Sequence, residues 1–226
     1  MTHHPKNEAS AINYFADNPI STASEDLLQR SKFVERIVRE IDMIDASQGY
    51  VMAVMGQWGS GKTSVLNLVK ERLSNSETIL VEYNPWLLSG VEELVDGLFR
   101  EINAKLNKKG VKYRTAIDKI IDYGEMLTPL TSVPVVGAWA NGVLMPFQVM
   151  AKHRNLRTTS VVEQKEQVAE ALTNIDSSIV VIVDDIDRLD KVEVREIFKL
   201  VRLTANFPNV IYLLSFDRIR VENALA

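Results

Sequence analysis

The chain has 226 residues, 46% of them hydrophobic and 25% charged, enough for one α/β domain with a sizeable core. A net charge of -4 argues against broad, unspecific binding to nucleic acid, which is not indicated as a partner. With no cysteine there is neither a disulfide nor a thiolate metal site, which fits a reducing cytoplasm, and the polar start carries no apolar signal-peptide core.

Residues 1 to about 24 are polar and mixed, and read as an N-terminal arm with little structure of its own ahead of a domain spanning 25–226. Next comes Asp26-Leu27-Leu28-Gln29-Arg30-Ser31, where Ser31 is expected to cap a helix carrying Phe33, Ile37, Ile41 and Ile44 on one face. Val51 to Met55 reads as a strand. It runs into Gly56-Gln57-Trp58-Gly59-Ser60-Gly61-Lys62-Thr63, which fits G-x-x-x-x-G-K-[ST], the phosphate-binding P-loop. Leu66, Val69 and Leu73 then recur with helical spacing.

Strand, glycine loop and helix form the context that this motif requires. Glycines let the loop curl so that successive N–H groups point inward, and the helix start adds its positive dipole end. Lys62 can place a point charge on the β- and γ-phosphates, and the Thr63 hydroxyl can ligate Mg²⁺. The candidate nucleotide-binding set is Gly56, Gln57, Trp58, Gly59, Ser60, Gly61, Lys62, Thr63 and Ser64.

Ile79 to Tyr83 reads as a second strand, followed by Asn84-Pro85-Trp86. Ser89 and Glu92 have the spacing of a capping box for a long amphipathic helix. Lys108 to Gly124 is polar and reads as exposed loop and helix. Met126 to Ala151 contains no charged residue but is interrupted by Pro134 and Pro146. It reads as buried or partner-covered helices, with a membrane-seeking hairpin as the alternative. Residues 160–175 read as helix.

Ile179 to Val183 is an uninterrupted β-branched run, as expected of a strand buried on both faces of a parallel sheet. It ends in Asp184-Asp185-Ile186-Asp187-Arg188. Asp190 and Glu193 have capping-box spacing for the helix that follows, and Val210 to Leu214 reads as a fourth strand ending near Ser215 and Asp217. Strands alternating with helices predict a parallel sheet with helices on both faces, and ligands beyond the carboxyl ends of its strands. The P-loop, the two aspartates and Ser215 all fall at such ends.

An apolar strand ending in Asp-Asp, paired with a P-loop upstream, is the Walker B pattern. Asp184 is assigned to Mg²⁺, and Asp185 to orienting or deprotonating the attacking water. Arg188 is a candidate catalytic cation on a γ-phosphate across a subunit interface, or a simple partner of Asp187 or Asp190. Ser215 and Asp217 are candidates for sensing the γ-phosphate, with a helix N-cap as the other reading of Asp217.

Taken together, Asp26-Leu27-Leu28-Gln29-Arg30, GQWGSGKTS, VEYNPWLLSG, VVIVDDIDRL and YLLSFDRIRVENAL resemble the KAP family of P-loop NTPases. The resemblance implies an ATPase of the class with an additional strand between the P-loop and Walker B strands, using ATP and Mg²⁺, with Lys62 and Asp185 in catalysis. It implies that Asp26 to Arg30 lie near the adenine and that Asn84 to Trp86 form a packing or signalling element; it includes an aromatic at Trp58, for which packing over the loop is the expected role. A helical insertion between the Walker motifs, at about 110–160, is also implied; in many relatives it crosses a membrane, and here it looks like a soluble version.

Domains of this class carry a fifth core strand beside the P-loop strand. Here four strands are visible, which predicts an apolar P-loop edge strand and a chain that is a fragment or is completed by a partner or swapped segment. The expected function is a Mg²⁺-dependent ATPase working as a conformational switch or oligomeric motor, as a homo-oligomer or with a partner chain. The family analogy adds bacterial defence such as phage exclusion. The alternatives are an ATP-binding scaffold with little turnover and a membrane-associated signalling NTPase. The expected location is the cytoplasm, with membrane association as the alternative.

Overall fold

A computed structural model describes residues 18–74, 76–88, 90–127 and 160–226. Four strands, β1 (Tyr50–Met55), β2 (Ile79–Tyr83), β3 (Ile179–Val183) and β4 (Val210–Phe216), form one parallel sheet in the order β1-β4-β3-β2. The helices are α1 (Ser31–Met43), α2 (Lys62–Leu73), α3 (Val91–Lys109), α4 (Arg114–Leu127), α5 (Val161–Thr173), α6 (Lys191–Thr204) and α7 (Arg218–Leu225). This is the α/β P-loop architecture expected, with a further strand, β4, between the P-loop strand and the Walker B strand.

Side-chain alternation along β3 and β4 sorts the core into two layers. Val180, Ile182, Ile211 and Leu213 face α1 and α2, against Val34, Ile37, Ile41, Leu66 and Val69. Val181, Val183, Tyr212 and Leu214 face the other way, where α3 to α7 pack. β3 is buried along its whole length, which explains its run of branched apolar residues without alternation. β1 pairs only with β4 among the described residues, and Tyr50, Val51 and Met55 are exposed. The expected apolar edge is therefore observed.

Two helices differ from expectation. α1 begins at Ser31 with Arg30 as its N-cap residue, and the cap comes from Asp26. The Asp26 carboxylate accepts from the backbone amides of Arg30 and Ser31 at 3.0 and 2.8 Å, and from the Ser31 hydroxyl at 2.7 Å. Phe33 is exposed, and Val34 takes the core position instead.

The polar stretch after α3 is not a loop with an exposed helix. Tyr113, Ala116, Ile117, Ile120 and Tyr123 are buried, and α4 packs between α3 and α5. Its charges occupy the outer face, so the high polarity concealed an i, i+3, i+4 stripe. Of the uncharged segment 126–151, only Met126 and Leu127 fall within the described residues. No helix among the described residues is long and apolar enough to cross a membrane. The proposed capping residue Ser89 lies outside the described residues, and Gly90 is the N-cap position of α3.

The end of the arm has more structure than expected. Ile20 and Ala23 pack against the α1–α2 layer. The Ile20 carbonyl accepts from Asn67 Nδ2 at 2.9 Å, and the Ala23 amide donates to Glu71 at 2.8 Å. Residues 18–25 thus lie along α2, the helix that the phosphate loop opens.

Candidate nucleotide site

The phosphate loop leaves β1 at Met55, and the Gly56 amide donates to the Phe216 carbonyl at the end of β4. Gly59 and Gly61 have positive φ, 78° and 83°, which a side chain would oppose. A Cβ at Gly61 would meet the Arg30 guanidinium, the movable end of a long side chain, so the positive φ is the constraint there. Arg30 Nη2 donates to the Ser60 carbonyl at 3.3 Å. The Asp26 cap therefore seats a cation on the loop, near the start of α2.

Lys62 Nζ donates to the carbonyls of Gly56 and Gln57 at 3.0 and 3.4 Å and lies 4.0 Å from Asp187 Oδ1. Its ammonium is thus held at the mouth of the loop against a carboxylate whose side chain is 3% exposed. Trp58 is 69% exposed, which leaves little of its ring for the expected packing over the loop. Ser64 is buried, and its hydroxyl accepts from the Ile20 amide at 3.3 Å. Gln57, Gly59 and Ser60 are exposed along the loop.

At the end of β3, Thr63 Oγ1 donates to Asp184 Oδ2 at 3.0 Å, joining residues 121 positions apart. Hydroxyl and carboxylate oxygens suit a hard cation that keeps much of its water, so this pair fits Mg²⁺. The other Asp184 oxygen accepts from the Asp185 amide at 2.9 Å. Asp185 then adopts a left-handed conformation, φ 61°, at a cost of roughly 1 kcal/mol.

That turn presents the Asp185 carboxylate to two donors. Asn84 Nδ2 donates to Oδ2 at 3.0 Å, and Arg188 Nε pairs with Oδ1 at 2.7 Å. The Arg188 guanidinium also lies over the Trp86 ring, 5.2 Å from its centroid. Arg188 therefore pairs with neither Asp187 nor Asp190. Asp187 faces Lys62, and Asp190 caps α6 by accepting from the amides of Val192 and Glu193.

Asp217 is an N-cap, accepting from the amides of Ile219 and Arg220. Ser215 is fully buried beside Val54, and its hydroxyl has no hydrogen-bond partner among the described residues.

The contacts around Asp185 are weak enough to yield. A partly exposed ion pair contributes up to about 1 kcal/mol. A cation–π contact at such a site adds about 0.5–1 kcal/mol.

A model of the KAP family P-loop domain matches residues 30–226. The chain belongs to the KAP family of P-loop domains. The KAP domain is 28% identical, over 235 aligned positions covering 92% of its length, to the phage T7 exclusion protein of Escherichia coli K12. It spans 31% of that relative's length. Among solved structures it is similar to Cdc6p from Pyrobaculum aerophilum, with 15% identity, a TM-score of 0.47 and coverage of 88% of this chain and 41% of that one. The ORC2 protein of Aeropyrum pernix gives 11% identity, a TM-score of 0.41 and coverage of 88% and 44%. These are distant likenesses from which no property of this chain follows.

Membership makes the KAP domain a nucleotide-binding P-loop domain in class. Two partners at the site were not singled out by the sequence, Asp187 for Lys62 and Asn84 for Asp185, and Arg30, expected near the adenine, sits instead on the Ser60 carbonyl of the loop. The signal for Asn84 was its place at the end of a strand neighbouring β3, where its side chain reaches the acidic turn. Asp187 carried no spacing signal for Lys62, because the pair forms through tertiary proximity.

Proposed function

We propose that this domain binds ATP with Mg²⁺ and hydrolyses the β–γ phosphoanhydride, using turnover to drive a conformational or assembly change. The observation that carries the proposal is the Thr63–Asp184 hydrogen bond, which joins the phosphate-loop helix to the acidic end of β3. Inward-facing loop amides and Lys62 bind the phosphates, as charge-assisted donors do. Thr63 and Asp184 would hold Mg²⁺, which supplies neutralisation of the phosphate charge. Asp185 orients the attacking water and accepts its proton, and Arg188 brings positive charge to the γ-phosphate, either its own or that of a neighbouring subunit. Likeness to a phage exclusion protein supports a role in phage defence, and a homo-oligomer or partner chain is the expected assembly.

One observation favours a second reading. Both Asp185 oxygens already have protein partners, as in a domain that holds ATP as a scaffold and turns it over little. Phosphate release, measured with Mg²⁺ and with EDTA over a range of protein concentrations, separates the two. Mg²⁺-dependent turnover whose specific rate climbs with concentration supports the switch. ATP binding without measurable turnover at any concentration supports the scaffold.

A further inference from the structure

Asp185, the proposed water-activating group, is held by a turn from the neighbouring strand. Asn84 uses both ends of its side-chain amide: Oδ1 accepts from the Trp86 amide at 3.1 Å, and Nδ2 donates to Asp185. Two positions on, the Trp86 ring lies under the guanidinium that pairs with the other Asp185 oxygen. One three-residue turn, Pro85–Leu87 with its Asn84 cap, therefore reaches both oxygens of one carboxylate, directly through Asn84 and indirectly through Arg188. Trp86 is itself half exposed, so burial of its ring does not account for its position. Arg188 is 40% exposed and carries no other ion pair among those described, so its seat is the Trp86 face and the Asp185 carboxylate.

We infer that Trp86 is a positioning residue for hydrolysis: its ring parks Arg188 on Asp185, and transfer of Arg188 from that seat to the γ-phosphate frees the Asp185 carboxylate for water. One guanidinium then has two stations. In the resting chain it occupies the proton acceptor; in the loaded site it stabilises the charge being transferred. The inference rests on the ATPase reading and adds to it a discrimination between ATP and ADP, because only a γ-phosphate offers Arg188 its second station. It also gives the Asn-Pro-Trp segment a role: Asn84 steers the carboxylate, Pro85 fixes the turn, and Trp86 supplies the seat for the cation.

The test uses a chain whose only tryptophan is Trp86, made by Trp58→Phe and Trp139→Phe. Nucleotide binding is followed separately with a fluorescent ATP analogue. A β–γ imido analogue of ATP with Mg²⁺ is expected to change Trp86 emission and raise its quenching by iodide, as the guanidinium leaves the ring. ADP is expected to bind without that change, and Arg188→Met to abolish it. In the otherwise natural chain, Trp86→Ala is expected to raise basal turnover about two- to fivefold, the equivalent of one exposed cation–π contact, with KM little changed. Trp86→Phe, which keeps a ring face, is expected to restore the natural rate.

Intact nucleotide binding with Trp86 emission blind to the γ-phosphate overturns the inference and leaves the ATPase reading standing. So does an equal effect of Trp86→Ala and Trp86→Phe on turnover. If the ATP analogue does not bind at all, the ATPase reading fails and the inference falls with it.

Discussion

β1 and β3 supply the two halves of the site from contrasting surroundings. β1 is an edge strand with exposed Tyr50, Val51 and Met55, and the loop it launches is shaped mainly by backbone conformation and glycines. β3 is buried along its length, and the turn it launches is held by side chains from three directions: Thr63, Asn84 and Arg188. A phosphate cradle can stand at an open edge because amides do its work. A proton-accepting carboxylate needs a fixed orientation, and a buried strand gives the rigid base for it. On the proposed reading, binding and chemistry would depend on different parts of the same sheet.

The contrast predicts unequal responses to substitution on the two strands. Ile182→Ala, on the α1–α2 face of β3, is expected to lower unfolding free energy by about 2–5 kcal/mol in denaturant titration. Val51→Thr on β1 is expected to change it by less than about 0.5 kcal/mol. Similar losses at both positions would remove the distinction between edge and interior.

Lys62→Ala comes next. Loss of a charged donor to phosphate is expected to weaken ATP binding by on the order of 1.5–3 kcal/mol, or roughly ten- to a hundredfold, in calorimetry. Secondary structure should hold, while the denaturant midpoint should fall, because the substitution leaves the buried Asp187 carboxylate without its cation.

The smallest effect concerns the turn that seats Arg30 on the loop. The Arg30 amide, with help from the Ser31 hydroxyl, holds the Asp26 carboxyl below the usual carboxylate range. A carboxyl depressed in the folded chain adds stability above its unfolded pKa and loses it as pH falls through the folded value. Asp26→Asn is thus expected to lower the melting temperature modestly at neutral pH. The gap to the natural chain should close in acid, below the ordinary carboxylate range. A gap that persists or widens in acid would mean that the side-chain shape, and not its charge, caps α1.

What could be read from the sequence follows the same division. The P-loop, the buried β3 run and the Asp184–Asp185 position were legible because backbone demands fix residue types at fixed spacing. The edge position of β1 was legible only through family resemblance, since Tyr50 to Met55 reads as apolar as an interior strand. α4 was obscured because the charges of its outer face outweigh the stripe formed by Ala116, Ile117, Ile120 and Tyr123. The Lys62–Asp187 pair could not be read, and Asn84–Asp185 only as a strand end of unknown neighbour. They depend on how the ends of neighbouring strands align, and single-chain spacing does not encode that.

Asp185→Asn tests most directly the claim that the β1 loop binds and the β3 turn does the chemistry. The exchange keeps size and one acceptor oxygen, gives up the charge that pairs with Arg188, and removes the proton acceptor. ATP affinity and phosphate release should be measured on the same preparation. The account predicts affinity within about twofold of the natural chain and turnover lower by on the order of a hundred- to ten-thousandfold. Unchanged hydrolysis would contradict it and remove Asp185 as the water-activating group.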